Sequence, residues 1–382
     1  MDFDFSVEQK SMRAELRRFL AAHSGREVLR AVVDSPDKID HALWRAVVEL
    51  GVPGLAIPEV WGGTGAGDID QCAVAEEFGR SLAPVPLSSS IHLAAGFLLA
   101  GGSDSQKSRY LPELAAGRLI GTFALAEGVG PLCASSVRAT VERGRLCGVK
   151  LPVPDGAIAD FAIVAARDAT SGPGQPVGLY LVDLGASGVV RRPVETIDLL
   201  QGHACLEFSG APVEPLGADE EGWAILARTL DRAAVLTAFE QLGGAERSLE
   251  LARDHALERR AFGRAIGSFQ AIKHRLADLY VATTLARSNA YYGAWALATA
   301  PAELPRAAAT ARVSATEAFL QCARECIQVH GGMGFTWDLD CHLFYRRANA
   351  QGVVLGGMEY WEQRLIDALV ADAGSGTGGV RT

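Results

Sequence analysis

The chain lacks any apolar run of the roughly 20 residues that a membrane-spanning helix needs. Its first ten residues, MDFDFSVEQK, are acidic and contain no signal-peptide core. Its seven cysteines are odd in number, scattered and without a C-x-x-C pair. These absences predict a cytoplasmic protein with reduced thiols and no membrane insertion.

No block of the sequence is rich in lysine or arginine, and the formal net charge of the 382 residues is -9. This balance argues against nucleic acid or an anionic membrane surface as the main partner. The 49% apolar and 21% charged content is ordinary for a soluble globular protein, and the length predicts two or three domains.

Two cysteines, Cys322 and Cys326, lie one turn apart and share a face of a predicted helix. The sequence shows no histidine or further cysteine placed to complete a zinc site with them. We therefore interpret both as core residues and predict no metal site.

The hydrophobic pattern changes twice along the chain. Residues 1–118 have helical spacing, and residues 119–218 consist of short β-branched or alternating runs separated by turn residues. Residues 219–370 return to long amphipathic segments with short links, which predicts helices at 223–260, 269–298, 306–329 and 358–370 and a shorter one near 340–350. The Gly/Ser-rich residues 371–382 are predicted to be disordered. The sequence therefore predicts an α+β fold with an N-terminal helical domain, a small middle β-domain and a C-terminal four-helix bundle.

The most informative stretch, residues 246–277, predicts two helices joined by a turn. Gly263 is a candidate C-cap of the first helix and Ser268 a candidate N-cap of the second. Three arginines, at 259, 260 and 264, flank Phe262 at the helix end. They are either cations that oppose the helix dipole or a clamp for an anion such as phosphate.

This stretch resembles the acyl-CoA dehydrogenase signature R-x-Q-F-G-x-x-I-x-x-F-Q. The matching residues are Arg259, Phe262, Gly263, Ile266, Phe269 and Gln270. A second block, QVHGGMGFT at residues 328–336, also resembles the family and lies about seventy residues further on. Two blocks in the right order are far more specific than either alone.

The resemblance implies flavin-dependent α,β-dehydrogenation of an acyl-CoA thioester, with FAD as cofactor, electron-transfer flavoprotein as acceptor and a homo- or hetero-tetramer as the assembly. It also implies that Arg259 reaches the FAD pyrophosphate of a neighbouring subunit. The other implied cofactor residues are Phe262, Gln270, Gln328, Gly331, Gly332 and the backbone of Ala126.

The position of the family's common catalytic base, a Glu in a Y-E-G-T stretch, corresponds to Leu355. Leucine cannot accept a proton, so this residue is not the base. Glu359 lies a turn further on, where we interpret it as a surface carboxylate at a helix start.

Two other carboxylates are candidate bases. Some relatives place a Glu just before an Arg on the first bundle helix, and Asp231-Arg232 resembles that pair, about two residues out of register. Glu240 is the only charged residue between Arg232 and Glu246. Asp231 and Glu240 are nine residues apart and point to opposite faces of one helix, so only one, or neither, is the base.

The loops that face the flavin in relatives also differ here. Relatives read T-E-P-x-x-G-S-D where this chain has AEGVGPL at 126–132, without the serine. Their W-x-T corresponds to Pro152, Val153 and Pro154, without the threonine hydroxyl.

Three hypotheses remain open. The chain is similar to the subunit that lacks the base in α2β2 acyl-CoA dehydrogenases, including actinobacterial steroid side-chain dehydrogenases. The alternatives are a homotetrameric dehydrogenase that uses Glu240 or Asp231, and a degenerate homologue that binds a CoA ester or a partner without catalysis.

Overall fold

The computed structural model describes residues 4–169, 177–217 and 222–376, with no side-chain description beyond 371. Its order of helices, sheet and helices confirms the predicted α+β fold class. The helices are α1 (Val7–His23), α2 (Arg26–Asp34), α3 (His41–Glu49), α4 (Asp68–Ser81), α5 (Gly96–Gly101), α6 (Asp104–Ala115), α7 (Gly222–Glu258), α8 (Gln270–Thr299), α9 (Leu304–His330), α10 (Cys341–Gln351) and α11 (Met358–Gly376).

Eight of the strands form one sheet. They are β1 (Gly121–Ala124), β2 (Thr140–Glu142), β3 (Arg145–Pro154), β4 (Phe161–Asp168), β5 (Val177–Asp183), β6 (Val189–Val194), β7 (His203–Pro212) and β8 (Glu214–Pro215). The order is β6-β7-β3-β2-β4-β5-β8, and β1 pairs with β4 in parallel, with Gly121 opposite Phe161. Most of the length of β4 and β5 is buried, which is why both are continuous apolar runs without alternation.

Contacts divide the chain into two compact units. The first comprises Met1–Arg26, Gln71–Ala83 and Ala234–Thr382, and the second comprises Glu27–Asp70 and Pro84–Ala233. Helix α1 and most of α4 therefore group with the bundle helices, whereas α2, α3, α5 and α6 group with the sheet.

Ion pairs hold α1 in the first unit. Arg13 and Arg17 of α1 donate to the fully buried carboxylate of Glu77, and Arg13 also binds Glu76 at 2.6 Å. Arg287 of α8 binds Glu76 at 2.7 Å. Buried carboxylates are costly unless they are paired, and these pairs supply the partners.

Within the same unit, α4 and α7 cross with their backbones in contact. A Cβ on Gly79 would lie 1.9 Å from the carbonyl oxygen of Glu240, and a Cβ on Gly243 would lie 1.9 Å from that of Glu76. Only glycine at both positions permits this close approach.

The bundle helices agree with the predicted spans, except at the C-terminus. The structure continues α11 to Gly376, so the prediction of disorder from residue 371 is wrong for residues 371–376. The prediction relied on the Gly/Ser content of the tail and gave no weight to Ala371 and Ala373, which are good helix formers. The rest of the predicted tail, 377–382, lies outside the described residues. No helix among the described residues is long and apolar enough to cross a membrane.

Candidate active site

The turn after α7 differs from the prediction. Strands β9 (Arg260–Ala261) and β10 (Arg264–Ala265) form a two-residue antiparallel hairpin, with Phe262 (φ 53°) and Gly263 (φ 82°) at its corner. Positive φ at both central residues is typical of a tight hairpin turn. Gly263 is therefore a turn residue, and its assignment as a C-cap is wrong.

The predicted N-cap is wrong as well. The Ser268 hydroxyl donates to the carbonyl of Ala265, and Phe269 occupies the N-cap position of α8 without a side-chain cap. The Phe262 ring packs edge-on against Phe269 at 6.3 Å and is 95% exposed. The guanidinium of Arg264 covers Phe269 at 4.0 Å. The hairpin thus exposes an aromatic ring and arginines on the surface of the chain.

The two signature blocks meet at one end of the bundle. His255 of α7 stacks on His330 of α9 with ring centroids 4.1 Å apart, and the N–H of Arg259 donates to the carbonyl of His255. An apolar cluster under the stack joins the ends of α7 and α9 to the starts of α8 and α10. Its members include Ala252, Ala256, Ile272, Leu276, Cys326, Ile327, Val329 and Cys341. Segments far apart in sequence therefore lie side by side.

The predicted cofactor residues of this bundle end are all exposed. They are Arg259, Phe262, Gln270, Gln328, Gly331 and Gly332. A Cβ on Gly331 or Gly332 would meet no atom within 4 Å, so packing inside the chain does not demand glycine there. Gly331 has a φ of 62°, which favours glycine, whereas Gly332 has open space beside it that leaves its backbone accessible. This set combines a cation, an aromatic ring, side-chain amides and accessible glycine backbone. Such a combination fits a dinucleotide, and the cation fits its diphosphate.

The predicted flavin-facing loops of the second unit use several of their polar groups in hydrogen bonds within the chain. The N–H of Leu151 donates to the carbonyl of Ala126, and the N–H of Gly128 donates to the carbonyl of Leu151. The Glu127 carboxylate accepts from the backbone of Arg138 and Ala139. These loops supply neither the serine nor the threonine of relatives, so they fit the flavin ring less well than the bundle end fits the diphosphate.

Lys150, which sequence reasoning did not single out, holds the first of these loops. Its side chain is fully buried and donates to Glu127 at 2.7 Å and to the carbonyl of Leu125 at 3.0 Å. Burial acts to raise the pKa of Glu127, but the hydrogen bond from Lys150 and those from the backbone lower it overall. The loop carbonyls and carboxylate are thereby fixed in place.

Glu240 is a paired carboxylate. It is 8% exposed and accepts a hydrogen bond from Gln351 Nε2 at 2.8 Å. Arg312 is buried in the same region: burial lowers its pKa to about 10, and the charge of Glu240 acts against that shift. The amide and the nearby guanidinium supply the polar contacts that a buried carboxylate requires.

Arg312 also fixes the loop that carries Leu355. Its guanidinium donates to the carbonyls of Gln351 and Val354, the latter at 2.9 Å. Leu355 is half-buried with a φ of 58°, a left-handed conformation that costs a non-glycine residue free energy. Glu359 lies exposed in the first turn of α11, as interpreted from the sequence. The loop that bears the base in relatives is thus kept rigid here around a leucine.

Asp231, the other candidate base, is 3% exposed and belongs to the second unit. Its neighbour Arg232 binds Asp68 at 2.8 Å and donates to the carbonyl of His92. His92 lies in a π-helix, Ser88–Ala95, where the sequence predicted an ordinary helix. Burial and the charge of Arg232 lower the pKa of His92 to about 3, so it is neutral at physiological pH. No local sequence signal distinguishes the wider turn, which is frequent at functional sites.

Comparison with known proteins decides the family. The model of the acyl-CoA dehydrogenase N-terminal domain matches residues 6–118, and that of the C-terminal domain matches residues 220–369. The chain belongs to the acyl-CoA dehydrogenase family. It is 35% identical to acyl-CoA dehydrogenase IpdE2 of Mycobacterium tuberculosis over 349 residues, which covers 91% of this chain and 93% of that protein.

Solved structures agree. The ChsE4-ChsE5 complex from Mycobacterium tuberculosis contains a chain that matches with a TM-score of 0.87 and 31% identity, over 97% of this chain and 99% of that one. A variant of the Tcur3481-Tcur3483 steroid ACAD matches with a TM-score of 0.86 and 32% identity, over 96% and 99%. This acyl-CoA dehydrogenase is therefore an oxidoreductase that acts on a CH–CH bond.

Proposed function

We propose that this chain is the FAD-binding subunit, without a catalytic base, of a hetero-oligomeric acyl-CoA dehydrogenase. The observation that carries the proposal is Leu355 at the position of the base, in a loop that Arg312 holds in place. Because Glu240 is paired with Gln351, it does not substitute for the missing carboxylate. A partner subunit then supplies the carboxylate that removes the α-proton.

The bundle end provides this chain's share of the cofactor site. Arg259 binds the diphosphate, while Phe262, Gln270, Gln328 and the glycines at 331 and 332 surround the rest of the dinucleotide. FAD bound there would supply the hydride acceptor for the β-hydrogen. The protein residues orient the cofactor and keep water away from it, and Ala126 contributes only backbone.

The relatives support a paired assembly and a bulky acyl group. Two of the matching structures are described by the names of two chains, and one of these is called a steroid ACAD. We extend to this chain a steroid-type acyl-CoA substrate, a hetero-tetramer and electron-transfer flavoprotein as the acceptor.

The test is purification of the chain alone and together with a family member from the same genome that carries a Glu at the position of Leu355. We expect a weakly coloured lone chain without turnover, and a yellow complex that oxidises an acyl-CoA with a steroid side chain. Full flavin occupancy and turnover by the lone chain would refute the hetero-oligomer. A colourless complex would instead favour the degenerate homologue.

Replacing Arg259 with alanine tests the diphosphate site. Loss of a charge-assisted hydrogen bond costs about 1.5–3 kcal/mol, so we expect the Kd for FAD to rise about 10- to 100-fold. Titration of flavin-depleted complex by flavin fluorescence measures the change.

Arg253→Ala is the matched control, because Arg253 is also an exposed arginine, lies on α7 six residues before Arg259, and pairs with Asp254. An unchanged Kd in Arg259→Ala, or an equal change in both variants, would remove Arg259 from the site.

The substitution Glu240→Gln separates the proposal from a homotetramer that uses its own base. Glutamine keeps an acceptor oxygen toward Gln351 but cannot take a proton. Because the proposal assigns the base to the partner subunit, we expect kcat of the complex to stay within about twofold of wild type. A fall of about 10²- to 10⁴-fold, the range for loss of a general base, would identify Glu240 as the base. Asp231→Asn is tested alongside with the same two outcomes.

A further inference from the structure

Two thiols and an imidazole converge where α9 ends and α10 begins. Cys326 and His330 lie one turn apart on α9, and Cys341 is the first residue of α10. Their ligand atoms all lie within 4.8 Å of one another. The sequence places Cys326 near Cys322 on one helix face, whereas Cys341 reaches this group only through the fold.

The distances match those of a metal-ligand set. Sγ of Cys341 lies 3.6 Å and Sγ of Cys326 lies 3.8 Å from Nδ1 of His330. Around a tetrahedral zinc ion with bonds of about 2.3 Å to sulfur and about 2.0–2.1 Å to nitrogen, neighbouring sulfur and nitrogen ligands are about 3.6 Å apart. Little movement of the side chains is therefore needed to admit an ion.

The three side chains are wholly or partly shielded from solvent, which favours binding of a metal ion by the two thiolates. Cys326 is fully buried and Cys341 is 2% exposed, while His330 is half-buried and stacked on His255. The stack fixes the plane of the imidazole ring. Cys322, by contrast, lies 3.3 Å from the Thr283 hydroxyl and is not part of the group.

We propose that Cys326, His330 and Cys341 bind one thiophilic divalent cation, Zn²⁺, with the fourth position open to water. In the metal-free chain, Nδ1 of His330 lies 2.8 Å from the carbonyl of Cys326 and donates to it. On binding, that proton moves to Nε2 of the same ring, and the two thiols release their protons to solvent. No electron is transferred, so the exchange needs no oxidant or reductant.

The ion joins two segments by coordination. It connects the last turn of α9 to the start of α10, on either side of the turn at Gly331–Phe335 that carries the exposed glycines 331 and 332. The proposal does not depend on the choice of catalytic base or of partner. Its expected effect is a more rigid bundle end and a melting temperature that rises with the logarithm of the free ion concentration above its Kd.

The test uses the full-length chain, stripped of metal by a chelator under reducing conditions and freed of flavin. We expect elemental analysis to find one Zn²⁺ per chain after dialysis. Titration with Co²⁺ should produce a thiolate-to-cobalt charge-transfer band in the near ultraviolet. Because this titration uses the wild-type chain, it does not depend on whether a variant folds.

Variants assign the ligands. Cys326→Ser and Cys341→Ser should lose the ion and its increase in melting temperature, whereas Cys322→Ser, a buried cysteine of the same helix, should keep both. Substoichiometric zinc in the wild type, cobalt binding without a thiolate band, or an equal loss in Cys322→Ser would each overturn the proposal.

Discussion

Arg312→Ala should destabilise the chain by about 3–5 kcal/mol, the usual cost of removing one partner from a buried charged network. Arg312 is 1% exposed, and its guanidinium donates to the carbonyl of Gln351 at the end of α10, to the carbonyl of Val354 in the following loop and to the Thr316 hydroxyl. Alanine leaves these groups without this donor, removes the positive charge of Arg312 that interacts with Glu240, and opens a cavity. Urea unfolding followed by tryptophan fluorescence measures the loss.

Arg324→Ala is the control for this experiment. Arg324 lies on the same helix, its side chain is 67% exposed, and it pairs only loosely with Glu325 at 3.6 Å. Its removal should change stability by no more than about 0.5 kcal/mol. If Arg312→Ala behaves like this control, the buried network does not hold the Leu355 loop.

Gly243→Ala should cost about 2–3 kcal/mol, even though alanine is the better helix former by about 1 kcal/mol. The new methyl group would lie 1.9 Å from the Glu76 carbonyl oxygen and 2.7 Å from the Arg80 nitrogen, and both are backbone atoms that cannot rotate away. The two helices must separate, which loosens the buried ion pairs of Glu76 and Glu77. The same unfolding experiment reports the change.

Gly25→Ala serves as the comparison, because a Cβ there would meet no atom within 4 Å. It should leave the unfolding midpoint nearly unchanged. A Gly243→Ala variant as stable as Gly25→Ala would mean that α4 and α7 do not cross in backbone contact.

Local periodicity was enough to predict the helices that carry the site. The apolar periodicity of α7, α8 and α9 predicted the ends of these helices to within a few residues of the structure. The two signature blocks identified the family. Both are short-range properties that survive without knowledge of the fold. The predicted cofactor residues of the bundle end do lie at one end of it, though binding itself stays a prediction.

What the sequence did not reveal depends on contacts distant in sequence or on unusual backbone. Glu240 meets Gln351 across 111 positions, and no local pattern announces that pairing. The outward orientation of Phe262, which is 95% exposed, follows from the hairpin and not from any local pattern. The wide turn around His92 is unusual backbone, and the proximity of Cys326 to Cys341 arises only from tertiary packing.

Phe262 has a consequence for attempts to engineer this chain. A phenylalanine that is both almost fully solvated and in a left-handed backbone conformation adds little to the folding free energy of the lone polypeptide. Consensus or computational stabilisation would favour Asn or Gly at that corner and would yield a hardier monomer. Such a variant would lose the contact between the ring and whatever molecule or neighbouring subunit it meets. Melting temperature is therefore a poor guide to selecting useful variants here.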